Sequence, residues 1–266
     1  MKMKKILCLV LAMALALTCL AACGGSEETA KDDSDKAPAK AELVMATNAN
    51  FPPYEFMEGE EYAGIDIEMA EEIAKRLDME LVIENVEFGT IVAGVETGKY
   101  NVGIAGMTVT DERKEQVNFS DSYATGVQVV IVKDGGKVAT LDDLAGEDIM
   151  IGVQQDTTGH IYAGDTVENG GYGEDHVTAY LNGADAVAAL VSGSVDAVII
   201  DQEPAKEFVK VNEGLSILPA EWAVEDYAIA INKDDTKLLE DINAALAEMK
   251  KDGTMDKIIS KYIKAE

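Results

Sequence analysis

Two arginines, Arg76 and Arg113, occur in the 266-residue sequence, and Arg113 stands where a guanidinium has chemistry to do. A short apolar run, Val102 to Ala105, ends at Gly106. Thr108 and Thr110 then supply hydroxyls and a capping side chain before Asp111, Glu112 and Arg113 open a helix. A guanidinium presents a rigid fork of donors that pairs bidentately with a carboxylate, and backbone N–H groups at a helix start favour the same anion. The spacing makes Arg113 a carboxylate anchor; a surface ion pair with Asp111, Glu112 or Glu115 is the alternative. A second charged residue closes another apolar run, Val198 to Ile200, at Asp201. Its carboxylate suits an ammonium group, or it caps the helix expected over Gln202 to Val211. An α-amino acid carries both complementary charges.

The elements that must place these two residues read as an alternation of strands and helices, which implies a mostly parallel α/β sheet. Leu43 to Thr47 is a buried strand. Ile67, Ala70, Ile73, Ala74 and Leu77 form the apolar stripe of a helix capped by Asp66. Strand Leu81 to Glu84, helix Ile91 to Thr97 and strand Val102 to Ala105 follow. The stretch from Val92 to Gly106 aligns without gaps to Val187 to Asp201, matching Val92 to Val187, Ala93 to Ala188, Gly98 to Gly193 and Ile104 to Ile199, with Asn101 opposite Asp196. Chance or the shared grammar of α/β folds is the rival account of this echo. Both copies read helix, glycine stop, turn, buried strand and exit. Ligands of open α/β sheets bind just beyond the carboxyl ends of the strands, so two lobes would each present one exit, at Gly106 and Asp201, to a common cleft. The runs Val127 to Val132 and Asp226 to Ile231 are expected to cross between lobes. Strands Ile149 to Val153 and Leu215 to Leu218 belong to the second lobe, and helices Asp234 to Lys250 and Met255 to Ile263 return to the first.

Outside this region, Lys2, Lys4 and Lys5 precede the apolar run Ile6 to Leu17, which is short for a membrane span and reads as an export signal over residues 1–22. Leu20-Ala21-Ala22-Cys23 resembles the lipobox of bacterial lipoproteins, in which the cysteine is diacylated. Cys8 and Cys19 would leave with the signal, so no intramolecular disulfide is expected. Gly24 to Lys40 has the small, charged composition of a flexible tether, with a reach of roughly 20 to 25 Å. Loss of the three signal lysines takes the formal charge from −28 to −31, which opposes nucleic acid and anionic lipid. His160 and His176 lack the companions of a metal site, and no GxSxG elbow, Walker loop or cysteine nucleophile is present. No catalytic residue, cofactor or metal is expected.

The segments TNANFPPYEF, GIDIEMAEEIAKRL, AGMTVTDERK, VNFSDSY, VDAVIID and MKKDGTMDKI, in this order behind a lipobox, resemble the polar-amino-acid-binding proteins of bacterial ABC importers across residues 43 to 263. The resemblance implies a two-lobed, periplasmic-binding-protein-like α/β fold with two hinge crossings and the ligand cleft between lobes: residues 41–124 and 227–266 in lobe 1, residues 125–226 in lobe 2. It implies that Arg113 pairs with the ligand α-carboxylate, helped by backbone near Gly106 and Met107, the Thr108 side chain and Thr158, and that Asp201 holds the α-ammonium. Phe51 and Phe88 would cover the ligand, and Asn48, Thr157 and Gln202 would lie nearby. Asn48 stands where several relatives that bind basic amino acids or glutamine have Asp, and Asp156 stands where Gly is usual; the two departures pull the ligand side chain's charge in opposite directions. Expected partners are a free amino acid, an ABC permease with its ATPase, and a bilayer entered through acylated Cys23, with the protein a monomer. A ligand-binding partner of a membrane sensor and a dehydratase-like enzyme on the same scaffold are the alternatives.

Overall fold

The structure, a computed structural model, describes residues 40–264. The expected export signal, Cys23 and the expected tether up to residue 39 lie outside the described residues. The chain opens with β1 (Glu42–Thr47), then an antiparallel set of β2 (Asn50–Phe51), β3 (Glu55–Glu58) and β4 (Glu61–Ala63). Next come α1 (Ile65–Arg76), β5 (Glu80–Asn85), α2 (Ile91–Glu96), β6 (Val102–Gly103), α3 (Asp111–Gln116) and β7 (Val117–Phe119). The chain then enters a second sheet through β8 (Ala124–Lys133), β9 (Ile151–Gln154), α4 (Thr158–Gly164), β10 (Val177–Tyr180) and α5 (Gly183–Ser192). It continues through β11 (Ala197–Asp201), α6 (Gln202–Val211), β12 (Leu215–Ile217) and β13 (Ala223–Tyr227). It returns as β14 (Ala230–Asn232), α7 (Thr236–Lys251) and α8 (Thr254–Tyr262). The two passages between sheets occupy residues 120–123 and 228–229, and the strands beside them, β8 and β13, pair antiparallel from Ala124↔Tyr227 to Gln128↔Ala223.

The first sheet has the order β5-β1-β6-β14-β7 and the second β10-β9-β11-β8-β12, with β13 also on β8. Within each, one strand is flanked by two parallel neighbours: β1 by β5 and β6, β9 by β10 and β11. The expected mostly parallel sheet is thus only half of each lobe. The strands adjoining the crossings, β7, β8, β13 and β14, pair antiparallel, as does β12 on β8. A strand arriving directly from the other lobe needs no crossover helix, so it enters antiparallel.

The internal echo is a repeat of hydrogen bonding as well as of order. Asn101 N–H donates to Val44 O at 2.9 Å while the Asn101 Oδ1 accepts from Val44 N–H at 2.7 Å. Asp196 makes the same pair with Met150, at 2.7 and 3.0 Å. In both copies the preceding helix stops at a glycine in the left-handed region, Gly98 at φ 73° and Gly193 at φ 82°. Each Asn or Asp therefore staples the first turn of its strand to the strand beside it.

Helix α1 buries Ile67, Met69, Ala70, Ile73 and Ala74 against the first sheet, and α7 closes that core with Leu238, Ile242, Leu246 and Met249. Asp66 does not cap α1. The helix begins at Ile65 behind Gly64 without a side-chain cap bond, and Asp66 is fully buried. Its carboxylate accepts from the Gly106 N–H at 2.8 Å and the Tyr123 hydroxyl at 2.9 Å, tying helix, strand exit and crossing segment together.

Candidate functional site

The carboxyl ends of β1, β6, β9 and β11 converge on one small cavity between the two sheets. From the first lobe come Asn48, Phe51, Phe88, Gly106, Thr108 and Arg113, and from the second Gln154, Thr157, Thr158 and Asp201. The repeat explains the pairing: Asn48 and Gln154 lie at the exits of β1 and β9, the strands with parallel neighbours on both sides, and Gly106 and Asp201 at the exits of β6 and β11. The Gln154 Nε2 donates to the Asn48 Oδ1 at 3.1 Å, so the lobes meet across equivalent positions.

Arg113 is 7 % exposed on α3, whose N-cap Thr110 accepts from the Arg113 N–H. Its Nη1 donates to Thr108 O at 2.7 Å, its Nη2 crosses the cleft to Asp156 O at 3.0 Å, and the guanidinium lies 5.2 Å from the Phe88 ring centre. Among the described residues no carboxylate forms an ion pair with it. The surface pair with Asp111 or its neighbours is absent; Asp111 pairs with Lys114 instead. A buried cation without a carboxylate partner is held at a cost that an incoming anion relieves.

Asp201 is 8 % exposed and accepts from the Tyr227 hydroxyl. It stands at the N-cap position of α6 by backbone geometry, yet its side chain makes no capping bond. Burial raises its carboxyl to about 7, partly opposed by the Tyr227 hydrogen bond. A cation placed beside it would favour the ionised form.

Other positions expected from the sequence are distributed as follows. Gly106 adopts φ 51°, and a Cβ there would come within 2.9 Å of the Phe51 ring, so glycine permits both the turn and the ring's approach. Thr157 caps α4 by accepting from the His160 N–H at 3.3 Å. Met107 is fully buried in the core with Ile91 and Val95, away from the cavity wall. Its apolar side chain fills the space under the strand exit. Asp156 sits at φ 62°, the left-handed conformation that makes glycine usual there, and its exposed carboxylate lies beside Gly89 outside the cavity. Only its backbone oxygen reaches Arg113. Gln202, half-buried, is not on the cavity wall.

Three further residues at the site, Glu225, Glu55 and Gln154, lie outside the set expected from the sequence. Glu225 on β13 is 7 % exposed, and its Oε2 accepts from the Thr108 hydroxyl at 2.9 Å, the Thr158 hydroxyl at 2.9 Å and the Gln128 Nε2 at 3.2 Å. One carboxylate thus ties both lobes to the crossing strand. Its inward position alternates with Tyr227, a period-two signal available once β13 is recognised. Glu55, 1 % exposed, lines the cavity and hydrogen-bonds Asp66; burial first, then Asp66, holds its carboxyl well above the usual range. Gln154 carries no charge to mark it. The hydroxyl protons of Thr108 and Thr158 go to Glu225, so these side chains turn lone pairs towards the cavity. Help for a ligand carboxylate then falls to Arg113 and backbone N–H groups.

Residues 43–265 match the model of the bacterial extracellular solute-binding proteins, family 3. The arginine-binding extracellular protein ArtP of Bacillus subtilis (strain 168) is 30% identical over 268 residues, which span 99% of this chain and 100% of ArtP. Among solved structures, an ancestral arginine-binding protein bound to glutamine superposes with a TM-score of 0.77 at 38% identity, covering 85% of this chain and 99% of that one. An ancestral amino acid-binding protein, AncCDT-1, a precursor of cyclohexadienyl dehydratase, gives a TM-score of 0.76 at 32% identity over 84% of this chain and 96% of its own. With the family pattern running across both sheets and both crossings, and a relative matched end to end, this chain belongs to the bacterial extracellular solute-binding proteins, family 3.

Proposed function

We propose that the protein is the extracytoplasmic binding component of an amino-acid ABC importer, capturing a free amino acid between its lobes and delivering it to a membrane permease. The observation that carries this reading is a buried arginine with no carboxylate partner in the first lobe, facing the same cavity as a buried aspartate in the second. Arg113 takes the α-carboxylate and Asp201 the α-ammonium, while Phe51 and Phe88 cover the apolar part. Because the two charges sit on different lobes, ligand completes the site only when the crossings bend to close it, and so shifts the population towards the closed form. The amino-acid-binding relatives support the ligand class. Cys23, outside the described residues, would anchor the exported chain to the outer face of the membrane through its lipid.

Calorimetry against a panel of amino acids tests this reading. Removing one partner of a buried charge pair costs about 2 to 5 kcal/mol, so Arg113→Ala weakens the bound amino acid at least about a hundredfold. A twofold change takes Arg113 out of the site. The family supports binding rather than turnover: amino acid recovered unchanged after long incubation is the expected result, and conversion of it reinstates the dehydratase-like alternative.

A further inference from the structure

Among the described residues Arg113 is the one buried cation, and it faces four buried carboxyls in and behind the cavity wall. Glu55 and Asp66 are hydrogen-bonded to each other, and were both ionised, Glu55 Oε2 and Asp66 Oδ1 would have no partner. One shared proton satisfies both oxygens and leaves a single negative charge on the pair, held by the Gly106 N–H and Tyr123 hydroxyl. Asp201 and Glu225 each contribute another. Arg113 contributes the positive charge. A zwitterion adds nothing to this sum, so an amino acid with a neutral side chain leaves the closed site with an excess of buried negative charge, which is expensive in a low-dielectric interior.

The hydrogen-bonding groups lead to the same conclusion by a separate route. At the junction of the central strands, Asn48 Nδ2 donates to Val86 O, and Gln154 Nε2 donates to Asn48 Oδ1 and Leu181 O. The Thr108 and Thr158 protons are directed to Glu225. Among the described residues Gln154 Oε1 accepts no hydrogen bond, and the Glu225 carboxylate is buried directly behind the wall that Thr108 and Thr158 form, near Tyr162. Walls that present oxygens, with Arg113 as the charged donor, call for a side chain that brings donors alone. A carboxylate brings only acceptors and an amide brings both; a guanidinium or ammonium fits.

We infer that the ligand is an amino acid with a cationic side chain, and that Glu225 is a specificity-determining carboxylate for it. This inference rests on the amino-acid reading above. Calorimetry with arginine, lysine, glutamine and citrulline, the neutral isostere of arginine, separates the two. At least one cationic amino acid binds about a hundredfold more tightly than citrulline or glutamine, the effect of one uncompensated buried charge. A neutral amino acid that binds as tightly as any cationic one overturns the inference while leaving the amino-acid reading intact; absence of binding by every amino acid tested overturns both. In Glu225→Gln the preference for the cationic ligand over its neutral counterpart narrows about tenfold, and an unchanged preference removes Glu225 from this role. The wild-type comparison decides the ligand's charge whether or not that variant folds.

Discussion

At Asp201 burial opposes a charge that binding requires. The carboxylate lies on the cavity wall with the Tyr227 hydroxyl and the Gln128 side chain as donors, and burial moves its carboxyl up to about 7. A ligand ammonium beside it reverses that balance by favouring the ionised form. Asp201→Asn keeps the shape and loses the charge, so an amino acid is expected to lose about thirtyfold or more in affinity while its des-amino analogue loses much less. Equal losses measured by calorimetry would show that Asp201 supports the wall without meeting the ammonium. This residue was legible in the sequence because an acid at the end of a buried strand is conspicuous, as was the arginine behind Thr108 and Thr110. Glu225 and Glu55 were not, because their roles depend on which face of a crossing strand or hairpin turns inward. Gln154 was hidden for another reason: its importance comes from meeting Asn48 across the cleft, a contact between residues 106 apart in the chain.

Among the elements, the repeated strand–helix unit was the most readable, since its periodicity and glycine stops are local properties. The antiparallel halves of both sheets were not, because they form only when the chain crosses twice between lobes. Asp66 was misassigned as a cap for a related reason. The register of a helix start is weakly fixed by pattern alone, and the buried partners that claim the side chain lie 40 and 57 residues away. The echo gives a prediction at this level. Asn101→Ala leaves the Val44 N–H without its acceptor, and Asp196→Ala does the same to Met150 N–H. An orphaned, partly buried amide costs about 1 to 3 kcal/mol. Urea unfolding should register a loss in that range for each variant, with a smaller one for Asp196→Asn, which retains a carbonyl oxygen. Losses below about 0.3 kcal/mol for both would leave the shared pattern without a role in stability, being within the scatter of ordinary surface changes.

For the whole molecule, the buried acids couple closure to proton concentration, and folding and binding respond in opposite directions. Asp66 and Asp201 have folded-state carboxyls raised by burial to about 6 and about 7, and Glu55 is raised as well. Between their ordinary unfolded values near 4 and these raised values, the folded state binds more protons than the unfolded one. Stability of the ligand-free protein therefore falls as pH rises from about 4 through these raised values. Binding of an ammonium at Asp201 requires the ionised carboxylate, so affinity rises with pH up to about 7 and then levels off. The groups electrostatically coupled to Asp201, namely the Tyr227 and Tyr54 phenols, the Glu225 and Glu55 carboxyls and the Arg113 guanidinium, modulate this step. Thermal unfolding should show a lower midpoint at pH 8 than at pH 5 without ligand, together with a larger ligand-induced increase at pH 8. The formal charge of −28 pushes ligand-free stability in the same direction through self-repulsion, so the stability slope alone does not isolate the site. The decisive measurement is the pH dependence of the dissociation constant in Asp201→Asn: if the decline in affinity from pH 7 to pH 5 persists undiminished, the proton is taken up elsewhere and Asp201 is not the group that couples binding to pH.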